Sequence, residues 1–478
     1  MRVNIALIVL SVFVIIGCAK KETPEAPVEA APEVMSKGEK FLYTSTNDPE
    51  GNHVIAMAIG EDGQLTEIFS DSGTAFATGG TGDADDGDFD GQHAVYIIPG
   101  TPYLLVVNAG DMQWENSIVE GHGSLSVFEI DGDTGQLTRI DQNPGTGDSV
   151  ENIDSGGVRP ISIGSTVIDG QTWVLVANQY HNPFWGGNSR ADGLLNTPPG
   201  DPTDATKNTP ARNITAFKFN DGVLSSPTTV VTYENGDHGG PTQVAFSPDG
   251  AKAAVTTWGL AQFGEGVTTN ADVQGTSRLY VYDVSGSAEE IALTNGRHFE
   301  QRGVSGSIGY SWAPDSNGVY IANFNLALTP ESYEEYGVTS VSTGAVPGLL
   351  SNAEVPGVDD EACWTWLSPE GTRLYAASFA KNKISYYGVS PDHKLTHKQT
   401  LVRRDVPAAD TKDMFITSDG KHFYVSGALM SHTVSIYDVA PDGTLTEVTG
   451  SPYKVPSSHP GGENVSPMSQ AYLGLTGY

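Results

Sequence analysis

The feature that most constrains this chain is a short β-rich run that keeps returning. It reads Leu105-Val106-Val107-Asn108, Leu175-Val176-Ala177-Asn178 and Tyr320-Ile321-Ala322-Asn323. Looser versions are Leu42-Tyr43-Thr44-Ser45, Tyr375-Ala376-Ala377-Ser378 and Tyr424-Val425-Ser426-Gly427. One such run describes any buried strand. Six of them with the same neighbours describe a repeat, and a repeat restricts the fold before anything else does.

The neighbours are regular. Ahead of each run lies an apolar stretch ending in a tight turn, clearest in Val244-Ala245-Phe246-Ser247-Pro248-Asp249-Gly250 and Trp366-Leu367-Ser368-Pro369-Glu370-Gly371. Pro pre-sets φ and Gly accepts a positive one, so these are turns by chemistry. After each run comes an alternating strand such as Leu125–Ile130 or Val434–Val439. A hairpin of constant type follows: Asp62-Gly63-Gln64-Leu65-Thr66, Asp133-Thr134-Gly135-Gln136-Leu137-Thr138 and Asp442-Gly443-Thr444-Leu445-Thr446. A fourth strand completes the unit. Four strands per unit, with units about 50–80 residues apart, predict an all-β, seven-bladed β-propeller. First strands are expected near His93, Arg159, Thr242, Ile308, Cys363, Lys412 and Met468. The chain opens at Phe41 on a second strand and ends on a first strand, so the C-terminal strand is expected to complete the N-terminal blade.

Acidic residues number 58 against 25 basic, a formal net charge of −33, which excludes the basic footprint of a nucleic-acid binder. The acidity reads as a solvated surface or as a means of collecting cations. The 56 glycines and 28 prolines favour turns over long helices.

The chain divides into residues 1–17, 18–37 and 38–478. Arg2 followed by the apolar run Ile5–Ile16 reads as an export signal, too short to span a membrane comfortably. Ile15-Ile16-Gly17-Cys18 resembles the bacterial lipoprotein cleavage motif, which implies that Cys18 carries a lipid. Ala19–Val34, rich in Lys, Glu, Pro and Ala, reads as a flexible tether. The neutral Ala19 after the Cys implies, by the same resemblance, an outer-membrane destination in the cell envelope. Cys363 is the only other cysteine, so a lipidated Cys18 leaves no internal disulfide; Cys363 itself reads as a buried strand residue.

Taken in register over residues 38–478, the Ser-Pro-Asp-Gly turn, the Tyr-Val-Thr-Asn-like second strand and the Asp-x-Gly-x-Leu-Thr hairpin resemble the seven-bladed lactonase family. This family includes 6-phosphogluconolactonase-type and 3-carboxymuconate-cyclase-type propellers. The resemblance implies lactone chemistry with a His/Glu/Arg set near the inner-strand starts. His238-Gly239-Gly240-Pro241-Thr242 departs from the family's Gly-x-Pro-x-His segment, since Thr242 or Gln243 stands where the strand His is expected.

Long connections fall between second and third strands (Ala109–Ser124, Gln179–Arg212, Gly259–Ser277, Asn325–Val338) and between blades (Asp71–Gln92, Gly145–Val158, Leu350–Asp360). In a propeller both classes emerge on one face, where function usually sits. Arg159, His238, Glu361 and Lys412 are the catalytic candidates. Arg and Lys suit holding an anion, and His and Glu suit acid–base work. His93 and Asp413 join them at the inner-strand starts as ligand contacts, or all of these simply solvate the channel wall. Trp114, His181, Trp185 and Trp258 suit a sugar ring or a planar ligand, or pack the long loops onto the scaffold. Asp86-x-Asp88-x-Asp90-Gly91 is the first half of a calcium loop, but the twelfth position is Ile97, so it is no EF-hand. Calcium is the one cofactor entertained and none is required; the bland reading is an acidic loop. Two functions stay open: an envelope-anchored monomer binding a small molecule, glycan or envelope protein, or a lactone hydrolase or muconate-type cycloisomerase.

Overall fold

The computed structural model describes residues 38–82, 91–110, 122–146, 149–179, 212–233, 238–261, 273–301, 304, 306–324, 336–356, 362–407, 409–427, 431–456 and 472–478. They form seven antiparallel blades, each built on four strands. In blade order the inner strands are Leu473–Gly477, Val95–Ile97, Pro160–Ile168, Pro241–Phe246, Ser307–Trp312, Ala362–Leu367 and Thr411–Ile416. The second strands are Phe41–Ser45, Tyr103–Asn108, Gln171–Asn178, Lys252–Thr257, Gly318–Asn323, Arg373–Ser378 and His422–Gly427, which include all six copies of the recurring run. Inner strands of successive blades neighbour one another around the whole ring, and Leu473–Gly477 lies between Thr411–Ile416 and Val95–Ile97.

The ring closes as expected, with the last strand starting at Leu473 and not at Met468. Leu473–Gly477 pairs with Phe41–Ser45, the Phe41 and Tyr478 backbones exchange hydrogen bonds at 3.0 and 2.9 Å, and Thr44 Oγ1 donates to Gly474 O at 2.6 Å. Outer strands are less regular than the repeat suggests. In blades 1, 2, 3 and 7 the third strand pairs with two short pieces, as Ser124–Ile130 does with Leu137–Ile140 and Ile153–Asp154. In blade 5 the strand Gly348–Ala353 occupies residues assigned from the sequence to a connection.

The core explains the recurring run. Apolar side chains gather in clusters between successive blades, and neighbouring residues of one second strand serve opposite clusters. Leu104 packs toward blade 1 and Leu105 toward blade 3; Leu374 packs toward blade 5 and Tyr375 toward blade 7. Strand side chains alternate between faces, so a strand buried on both reads as an unbroken apolar run.

The terminal Asn is a hydrogen-bond hub. Asn108 Nδ2 donates to Ser124 Oγ and Ser126 Oγ at 3.0 and 2.9 Å, and its Oδ1 accepts from Thr78 Oγ1 at 2.8 Å. Asn178 and Asn323 tie their strands to the third strand in the same way.

At the opposite face, second-strand tyrosines staple four of the blades to the hairpin of the next. Tyr43, Tyr375 and Tyr424 hydroxyls donate to the carbonyls of Gly135, Gly443 and Gly63 at 3.2, 2.9 and 2.9 Å. Those glycines sit at positive φ, which turns their carbonyls toward the neighbouring blade. In blade 6, His393 replaces the glycine, and its Nδ1 meets the Tyr320 hydroxyl at 2.9 Å.

Candidate functional site

Inner strands face the ring axis with an open sheet edge, whose peptide groups need partners. Two glutamine side chains supply them by imitating a peptide. Gln92 donates to Thr365 O at 2.6 Å and accepts from Thr365 N at 3.3 Å. Gln243 donates to Tyr310 O at 3.1 Å and accepts from Tyr310 N at 2.5 Å. The Gln92 contact joins blade 2 to blade 6, so residues 91–93 cross the axis. Gln92 O also accepts from Ser162 Oγ of blade 3 at 2.6 Å, and His93 O accepts from Ile163 N at 3.0 Å. Gly91 is required here, because a Cβ would overlap the Thr242 carbonyl of blade 4 and crowd that of Ile161.

The sequence places the channel mouth at the inner-strand starts. The structure occupies that end with residues 91–93, and the strand starts are buried. Exposure begins at the far ends, toward the short turns: Tyr96, Ser165, Ala245, Ser311, Trp366 and Thr476 are all partly exposed, in six different blades. Among the described inner-strand residues, the partly exposed ones therefore gather toward the turn face.

The strand-start candidates differ in how well their polar atoms are matched. Arg159, buried and at φ 58°, accepts at its carbonyl from Gln179 N at 2.9 Å. Lys412 is 1% exposed and lends its charge to the neighbouring Asp413. Asp413, equally buried, accepts from Met414 N at 2.8 Å through Oδ1, with support from the Leu475 backbone of blade 1. Its Oδ2 has no hydrogen-bond partner among the described residues. Burial outweighs these contacts and pushes the carboxyl up to about 7. Gln179, which the sequence did not single out, is fully buried with both carboxamide atoms unmatched among the described residues. It directly follows a recurring run, but a missing partner is a property of space that no local motif signals.

His93 turns down the channel. At φ 69° it directs its ring onto Tyr96, 5.7 Å away, and edge-on to Trp366 of blade 6 at 6.2 Å. Desolvation lowers it to about 4, so the imidazole is neutral at ordinary pH, and Nδ1 has no partner among the described residues.

His238 lies elsewhere. Its Nδ1 meets Thr276 O at 2.8 Å, and Glu300 lies 4.0 Å away. Glu300, at the end of blade 4's outermost strand, accepts from Arg278 Nε at 2.7 Å, which holds its carboxyl below the usual range. Trp258 is 1% exposed and packs on Phe324 at 5.4 Å, the packing role left open beside ligand contact. Glu361, Trp114, His181, Trp185, Asp86, Asp88, Asp90 and Cys18 lie outside the described residues. Among the described residues no cluster of His, Cys, Asp and Glu is arranged to hold a metal.

No family model and no curated protein matches the sequence. Solved structures do match. A candidate 6-phosphogluconolactonase of Bacteroides fragilis is 15% identical, with TM-score 0.58 over 93% of this chain and 99% of that one. A periplasmic gluconolactonase of Pseudomonas aeruginosa is 15% identical, with TM-score 0.56 over 87% and 98%. A Lactobacillus plantarum protein is 14% identical, with TM-score 0.58 over 92% and 99%. At such identity the likeness is one of fold.

Proposed function

We propose that this protein is an envelope-anchored propeller that binds a small polar molecule, such as a sugar acid or the end of a glycan, at its long-loop face. One observation carries the reading: Asp413 Oδ2 and the Gln179 carboxamide are buried at that face with nothing described to meet them. An unmatched buried group costs about 1–3 kcal/mol, and folded proteins keep few of them without a use. Arg159 and Lys412 supply the positive charge an acidic ligand needs, and the loops carrying Trp114, His181 and Trp185 are offered as its ring contacts. Lipidation at Cys18, and calcium at Asp86, Asp88 and Asp90, belong to the same proposal.

The second reading is an enzyme of lactone chemistry, and Asp413 favours it. A carboxyl titrating near 7 suits acid–base work, with Arg159 and Lys412 holding the anion. His238 and Glu361 remain further acid–base candidates.

Full-length protein, Asp413→Asn and Arg159→Ala are to be titrated calorimetrically with gluconate and assayed for hydrolysis of gluconolactone. Saturable gluconate binding without turnover, lost in both variants, supports the binding reading. Turnover lost in Asp413→Asn supports the enzyme. Neither binding nor turnover, or both unchanged in the variants, removes the site. Fatty-acid labelling lost in Cys18→Ser checks the anchor, and absence of heat with millimolar calcium removes the metal.

A further inference from the structure

The chain carries three Asn-Gly pairs, beginning at Asn235, Asn295 and Asn317, and the first lies outside the described residues. The other two are held differently. Asn295-Gly296 falls in Ile291–Glu300, the outermost strand of blade 4, whose far edge pairs with no other strand among the described residues. In its ladder with Arg278–Gly286, Val281 pairs with Arg297 and Asp283 with Thr294, so Asn295 and Gly296 are left together opposite Tyr282. This bulge explains the pair. Asn295 is at φ 50°, a left-handed conformation that Asn tolerates better than most side chains. A Cβ on Gly296 would come within 2.8 Å of the Tyr282 ring. Both residues are exposed. Arg297 reaches back over them: its Nη1 donates to Asn295 O at 3.3 Å and to Asp283 Oδ1 at 2.8 Å, while its Nε donates to Gly344 O of blade 5 at 2.7 Å. By contrast, Gly318 is buried and pairs with Ser342 inside its ladder, and the Asn317 carbonyl accepts from a neutral amide, Thr343 N at 3.0 Å.

We propose that Asn295 is a site of self-modification, where the folded protein converts the side-chain amide to a carboxylate with water as the only other reactant. The Gly296 backbone nitrogen loses its proton and attacks Asn295 Cγ. A C–N bond forms, the Cγ–Nδ2 bond breaks, and Nδ2 leaves as ammonia with protons taken from water. Water then opens the cyclic imide at either carbonyl, giving Asp or its β-linked isomer. The fold contributes charge and freedom. As Gly296 N loses its proton, negative charge is shared with Asn295 O, and the Arg297 guanidinium already points at that oxygen. A charged donor aimed at a developing oxyanion is among the stronger hydrogen bonds. Gly296 leaves no side chain beside the attacking nitrogen, and the bulge takes the pair out of the ladder that would otherwise hold it extended. To be attacked, the Asn295 amide has to leave a single solvent-exposed hydrogen bond, from Nδ2 to Asp283 Oδ2 at 3.0 Å. The product replaces that donor with a carboxylate beside Asp283, so two acids then face the guanidinium that ties blade 4 to blade 5.

Full-length protein is to be aged in mildly alkaline buffer, digested and mapped by mass spectrometry, reading the mass gain from exchange of NH2 for OH at each Asn-Gly pair. In the folded protein Asn295 should convert at least about tenfold faster than Asn317, a barrier difference of about 1.4 kcal/mol. In urea, where both pairs are ordinary chain, the two rates should converge. Conversion at Asn295 should quicken as pH rises, since the attacking nitrogen must be deprotonated. Folded Arg297→Gln should slow Asn295 by a similar factor and leave Asn317 unchanged. The idea is overturned if Asn295 remains an amide in the folded protein, if Asn317 keeps pace with it, if the difference persists in urea, or if folded Arg297→Gln converts as fast as wild type. All but the last of these are read on the unmutated chain.

Discussion

Asp410 and Asp413 stand three residues apart at the start of one inner strand, both at most 1% exposed, and their surroundings are opposite. Asp410 faces Arg403 at 3.6 Å and accepts from Ser431 N at 3.1 Å. Arg403 in turn donates to Ser435 Oγ at 3.0 Å and Thr411 Oγ1 at 3.2 Å. Asp413 has backbone support on one oxygen and none described on the other. The first carboxylate is saturated by its own fold and works as scaffold. The second has one oxygen left unmatched among the described residues, and the proposed ligand site is built on it.

That contrast can be broken from either side. Asp410→Ala should have the largest effect, a loss of about 3–5 kcal/mol in denaturant unfolding, because it strands a buried guanidinium. Asp413→Asn should act with the opposite sign. The folded carboxyl titrates near 7, above its unfolded value, so the native state holds its proton longer and wild-type stability falls as pH rises from about 4 to 7. Removing that penalty should stabilise the variant at pH 8 by up to about 4 kcal/mol, with the gain fading toward pH 4. A loss at pH 8 comparable to that of Asp410→Ala would sink the distinction between the two sites.

His93→Asn sharpens the picture with a smaller, oppositely sloped term. The folded imidazole titrates near 4, below its unfolded value, so the unfolded chain takes up the proton first and wild-type stability falls as pH drops from about 6.5 to 4. The variant, chosen because Asn tolerates positive φ, should lack about 2–3 kcal/mol of that loss, discounted for the ring's residual water contact. Smallest is Tyr375→Phe on the turn face, where a single staple is removed at a cost of about 1 kcal/mol.

Much of the scaffold was legible because two-sided burial and fixed turn chemistry leave marks within a few residues. Leu104 and Leu105 serve different blade interfaces, so the run they open cannot be mistaken once it repeats. The last inner strand was misplaced by five residues, since Tyr472-Leu473-Gly474-Leu475-Thr476-Gly477 is short and glycine-interrupted and carries little pattern. The His393 staple escaped notice because a hairpin glycine had been exchanged for a side chain doing the same job. Arg159, Lys412 and Asp413 were located at strand starts from spacing alone. Their burial, the unmatched Gln179 and the downward turn of His93 were not, because each depends on what another blade brings across the axis.

The closure of the ring has a mechanical consequence. The described chain begins at Gly38 on the turn face, where Lys40 N donates to Tyr478 O at 2.8 Å, and runs directly into Phe41–Ser45. That strand is held on one side by Leu473–Gly477 and on the other by His53–Ile59. Tension arriving through residue 38 pulls the strand along its own length, so both ladders bear load together and no bond can be peeled off in turn. A strand order that makes the sheet circular also makes its N-terminal strand resist shear.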